Sequence, residues 1–216
     1  MTRSLRIAVA ALAVGSLAAA PPGALAKKRK HPARCSLSGS KTLLATRDAR
    51  VFYRTKSGTT TEYACLFARN RRFTLGSGDS EPGGSGDTVS LEVLSGSYAA
   101  YVLGHFDDSQ RYNTSFQGYP ATVVAINLST GAELRFPAVA AKPASSGVSD
   151  LVLAKNGSFA WIGTGGNATE VHRLKAGDAA DTVLDSGSDI QPSSLALGGG
   201  TVYWTKGGRP SSAPLN

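Results

Sequence analysis

The feature that most constrains this chain is a recurring hairpin with no helical periodicity around it. Past the N-terminal segment, no window carries an apolar face at i, i+3, i+4 and i+7. A short β-rich run recurs instead, followed by a turn built on Gly, Ser, Asn or Asp and a second run carrying aromatics. Four such hairpins align. The first is Lys41–Ala45, a turn at Arg47-Asp48, then Arg50–Arg54 with Val51-Phe52-Tyr53. The second is Val89–Leu94, Ser95-Gly96, then Tyr98–Leu103. The third is Asp150–Ala154, Asn156-Gly157, then Phe159–Gly163 with Trp161. The fourth is Ser194–Leu197, Gly198–Gly200, then Thr201–Thr205 with Val202-Tyr203-Trp204.

Aligning Phe52, Ala100, Ala160 and Tyr203 gives spacings of 48, 60 and 43 residues. The first three hairpins are each followed by two more strand-like runs: Glu62–Ala68 and Arg72–Leu75; Ala121–Leu128 and Glu133–Phe136; Glu170–Leu174 and Thr182–Leu184. Asn127–Gly131 and Ala176-Gly177-Asp178 read as tight turns within the second and third units. Three units thus supply four strands each, the number a propeller blade needs. The fourth has room for one more short strand after Lys206-Gly207-Gly208-Arg209.

The aromatic ends Val51-Phe52-Tyr53, Phe159-Ala160-Trp161 and Val202-Tyr203-Trp204, with the Ser-x-Leu-type openings at Ser90-Leu91, Ser149-Asp150-Leu151 and Ser194-Leu195, resemble those of secreted bacterial β-propeller-like repeat proteins over residues 41–206. The resemblance implies an all-β, β-propeller-like repeat of short antiparallel hairpins, about 3.5–4 blades, with ring closure open. Residues 34–40 are a candidate for the strand the fourth blade lacks. An open arc, a twisted β-sandwich and a dimer that completes the ring are the alternatives. No WD dipeptide and no lactonase signature is present. Families of this shape include binding scaffolds, lyases and lactonases, so the fold selects no function.

Residues 1–26 read as a signal peptide. Arg3 and Arg6 form a positive n-region, Ile7–Ala20 an apolar run, and Ala24-Leu25-Ala26 a small-x-small site with cleavage expected after Ala26. The apolar run, about 14 residues, is shorter than the roughly 20 a spanning helix needs, so no transmembrane segment is expected after cleavage. Localisation is therefore expected to be secreted or extracytoplasmic, at the cell envelope. Residues 27–40 read as a basic, largely disordered leader and residues 41–216 as the β-repeat domain. An even pair, Cys35 and Cys65, reads in an oxidising compartment as one disulfide.

The formal charge of +8 suggests a nucleic-acid binder until its distribution is read. From Cys35 onward, 16 Lys and Arg stand against 15 Asp and Glu, a net of +1. Residues 35–75 hold eight of those cations against Asp48 and Glu62. That basic edge is suited to an anionic envelope polymer or membrane surface, or is simply a solvated face. No nucleic-acid-binding motif is present, and nucleic acid is not expected as a partner.

Candidate chemistry is sparse. In the loop Gly78–Asp87, Asp79, Glu81 and Asp87 would be the ligands if it held Ca²⁺, but its Gly and Ser content reads as an inter-blade linker. The densest polar cluster is His105-Phe106-Asp107-Asp108, with Arg111, Tyr112 and Asn113 behind it. There His105 would be a general base and Asp107 or Asp108 its orienting carboxylate. No nucleophile elbow, phosphate loop, zinc motif or dinucleotide fingerprint occurs, and no cofactor is expected. The expectation is a non-enzymatic extracellular binding or scaffold domain whose partner is a protein or envelope polymer. The alternatives are a rim lyase or hydrolase using the His105 loop, and an envelope-associated protein held by its basic tail.

Overall fold

The computed structural model describes residues 35–79, 83–110, 119–141, 145–166 and 168–216. The signal peptide with Ala26, the tail up to Arg34, Glu81, and Arg111, Tyr112 and Asn113 lie outside the described residues. What is described is all-β and antiparallel, in three open sheets of eight, four and three strands with no α-helix.

The eight-stranded sheet runs in sequence order through β1 (Lys41–Ala45), β2 (Ala49–Lys56), β3 (Thr59–Leu66), β4 (Arg71–Asp79), β5 (Ser85–Ser95), β6 (Tyr98–Asp107), β7 (Thr122–Asn127) and β8 (Glu133–Pro137). It is two four-stranded meanders in continuity, because β4 and β5 touch at a single pair, Gly78 with Gly86. The second sheet holds β9 (Gly147–Leu153), β10 (Phe159–Gly165), β11 (Ala168–Leu174) and β12 (Thr182–Ser186). The third holds β13 (Ala196–Gly198), β14 (Thr201–Lys206) and β15 (Arg209–Pro214). Residues 36–40 form a turn, closed by Ser40 N–H donating to Leu37 O, and not a strand of the last meander.

Side-chain alternation explains the stacking, since successive residues of a strand face opposite ways. On β6, Ala99 and Tyr101 enter one core while Ala100 and Val102 enter the next. On β7, Val124 and Ile126 part from Val123 and Ala125 in the same way. On β10, Phe159 and Trp161 face back towards the second meander, and Ala160 and Ile162 face forward to Val202 and Trp204 of β14. Four consecutive meanders are thus joined face to face by three cores. Among the described residues, no core joins the first meander to the last.

The turns match their residues. Asn127 Oδ1 accepts from the Ser129 and Thr130 N–H groups, and Gly131 supplies the positive φ of 86° that ends this turn between β7 and β8. The Cys35–Cys65 disulfide is formed, with Cα atoms 5.5 Å apart. Both cysteines are fully buried beside Phe52, on the face of the first meander that points away from the second.

Candidate functional site

The two sequence candidates, the acidic loop and the His105 cluster, meet at the seam between the first two meanders. Because β4 and β5 share one residue pair, the sheet opens there into a cleft of about 250 Å³. Its lining is Thr60 and Glu62 from β3, Gly76, Gly78 and Asp79 from β4, Asp87, Thr88 and Val89 from β5, and Phe106 from β6. Glycine makes this approach possible. A Cβ on Gly76 would sit 2.7 Å from Val89 Cγ2, and one on Gly78 would sit 2.8 Å from the Phe106 ring. Of the Gly-rich stretch read as a linker, Gly78 and Asp79 end β4 and Ser85–Asp87 open β5.

Glu62 is the perturbed group in the cleft. Burial comes first, then the charge of Glu92 and a shared hydrogen bond with it, and together they push the Glu62 carboxyl up to about 7. Glu92 belongs to a bulge. The β5–β6 register slips between Ser90 and Val93, and Leu91 adopts a φ of 52° that a leucine rarely takes. Backbone strain of this kind often accompanies sites. The composition of the chain gave no hint of Glu62 or Glu92. No sequence signal marked the bulge either, because Val89-Ser90-Leu91-Glu92-Val93 alternates without a break while the register sets Leu91 and Glu92 opposite Tyr101 alone.

His105 lies within β6, not in the loop beyond it, directly opposite Asp87. Its Nδ1 is 3.5 Å from Asp87 Oδ1, and its ring packs edge-on against Tyr119 at 4.5 Å. It sits beside the cleft, outside the lining. Asp107 and Asp108 turn to backbone. Asp107 Oδ1 accepts from Ser109 N–H and Oγ–H, and Asp108 Oδ2 accepts from Gly83 N–H. The carboxylate that faces His105 is therefore Asp87. Asp79 and Asp87 both reach the cleft, but among the described residues no three His, Cys, Asp or Glu side chains cluster to hold a metal ion.

A second polar cluster centres on a buried histidine. His172 on β11 has no exposed surface, with Nδ1 2.7 Å from Asp181 Oδ2 and Nε2 2.9 Å from Glu170 Oε2. Its ring stacks on Trp161 at 4.7 Å, 6° from parallel. Trp161 Nε1–H donates to Ala138 O, and Ala140 N–H donates to Glu170 Oε2. These bonds fasten the segment after β8 onto the third meander. No family model matches the chain, and no curated protein matches it in sequence.

Proposed function

We propose that this chain is an exported, non-enzymatic binding scaffold: a propeller-like arc of four meanders that takes a small organic cation in the cleft between the first two. The observation that carries the reading is the cleft itself, where Glu62, Asp79 and Asp87 stand with the hydroxyls of Thr60 and Thr88 against one aromatic wall, Phe106. Carboxylates attract an amine, and the aromatic face adds to that attraction. Export is supported by the leader pattern of residues 1–26 and by the Cys35–Cys65 bridge, a bond suited to an oxidising compartment. The arc is supported by meanders that pack face to face in chain order.

Calorimetric titration with spermidine tests the proposal. Binding is expected at pH 8, and about tenfold weaker binding at pH 5.5, where Glu62 carries a proton. Asp87→Asn is expected to weaken binding at pH 8. No heat at millimolar spermidine at either pH rejects the cleft as a cation site.

The Asp87–His105 contact favours a second reading, a hydrolase or lyase at the cleft mouth with Asp87 orienting His105 as general base. Turnover of an ester or glycoside panel that His105→Gln abolishes, with spermidine binding unchanged, would select it. No turnover by the wild-type chain rejects it.

A further inference from the structure

The outer face of the first meander carries arginines that no carboxylate among the described residues neutralises. Cross-strand register puts Arg50, Cys65 and Arg72 in one row, Phe52, Tyr63 and Thr74 in the next, and Arg54, Thr61 and Ser77 in a third. These three rows contain no carboxylate. The nearest, Asp79, stands one row further on with Lys56 and Thr59. None of Arg50, Arg54 and Arg72 has a carboxylate within salt-bridge distance among the described residues.

Arg50 and Arg72 are held in place all the same. The Arg50 guanidinium lies 3.9 Å over the Phe52 ring and donates to Thr42 Oγ1 and Ser40 Oγ. Its Nε is buried with no acceptor, and burial lowers its pKa from the ordinary arginine value. Arg72 lies 4.9 Å over the Tyr63 ring, and Phe52 and Tyr63 stack at 5.3 Å. A half-buried cation fixed by a ring and two hydroxyls, without an anion, is a costly arrangement that an anionic partner relieves. Two strand spacings separate Arg50 from Arg72, about 10 Å, and four residues separate Arg50 from Arg54, about 13 Å.

We infer that this face docks an anionic polysaccharide across Arg72, Arg50 and Arg54. The inference is independent of the cleft, whose β3 lining residues Thr60 and Glu62 alternate with Thr61 and Tyr63 of this face. A linear polymer with a charge on each repeat matches fixed cations spread over a flat sheet. A lipid surface would want protruding apolar side chains, and here Phe52 is fully buried and Tyr63 lies beneath Arg72. Single-stranded nucleic acid would want open aromatic faces, and these rings are covered by guanidinium groups.

The test is binding of the mature chain to heparin, in a background where Lys27, Lys28, Arg29 and Lys30 are replaced by Gln so that the tail does not contribute. Arg50→Gln/Arg72→Gln is expected to weaken binding about tenfold at about 0.15 M salt, with an earlier salt elution. Arg54→Gln/Arg72→Gln, which leaves the packed Arg50 intact, is expected to move the same way. The equal-charge control Arg135→Gln/Arg209→Gln, on β8 and β15, is expected to stay within about twofold. Equal losses in control and test variants would overturn the inference, as would no retention above neutral agarose. Tighter binding to phosphatidylserine vesicles or to a single-stranded oligonucleotide than to heparin would also overturn it.

Discussion

Two buried acid–base groups have opposite meanings at the scale of single residues. Burial first, then the neighbouring Glu92 carboxyl, raises the Glu62 pKa to about 7, so ionising it opposes folding. An unfolded chain releases that proton near 4.5, the folded chain near 7. The stability this proton contributes is full below about 4.5 and is lost as pH rises through about 7. Glu62→Gln should abolish that slope and leave the protein more stable than wild type at pH 8. Urea midpoints at pH 5 and pH 8 check it, and an unchanged slope would remove Glu62 from the account. His172 is the converse case, a ring that two carboxylates hold at both nitrogens. His172→Ala strands Glu170 and Asp181 against Trp161 and should cost about 3 kcal/mol in denaturant unfolding. Nothing in the sequence marked His172, because its two acids lie at i−2 and i+9 and that spacing does not single them out as partners.

Strands were far more legible than sites. Turn residues and alternation delimited fourteen of the fifteen described strands to within about four residues at each end, since Gly, Asn and Asp mark reversals for stereochemical reasons that hold in any context. The two ends of the stretch Gly78–Asp87 were misjudged because glycine signals both slack linkers and close backbone approach, and only the packed partner, Phe106 against Gly78, tells which. The same ambiguity makes Gly163 informative. A Cβ there would collide with the Ala138 carbonyl, which also accepts from Trp161. Gly163→Ala should therefore loosen β8 from β10 and lower the melting temperature markedly, whereas Gly166→Ala meets open space and changes only its positive-φ strain. Between the third and fourth meanders the fastening is Asp185. Burial alone would raise its pKa, but bonds from Lys206 and Trp204 outweigh that and hold it below the ordinary carboxylate range. Its contribution is present at neutral pH and is lost as pH falls through that lowered value. Asp185→Asn should weaken the attachment of β13–β15 and flatten the acid limb of the stability curve, read by Trp204 fluorescence.

At the scale of the whole molecule, the meanders form a chain of neighbours, each core linking one to the next. The disulfide anchors Cys35 to β3 of the first meander, at the end of the stack where the face bears no further sheet. It closes a 30-residue separation, and its removal should cost about 3–4 kcal/mol in the chain-entropy account. Comparing unfolding midpoints with and without reductant measures that cost. The repeat period foretold a serial architecture, but ring closure depends on faces that meet across the whole chain, and no local pattern encodes it. The account's central claim is the serial stack with its opening at the β4–β5 seam. Amide hydrogen exchange, read segment by segment, tests it most directly. Strands β6, β7 and β10, covered by cores on both faces, should exchange slowest; β1, β12 and β13 and the seam around Gly78 and Gly86 should exchange fastest. Protection as strong at the seam as in β6 and β7 would contradict it.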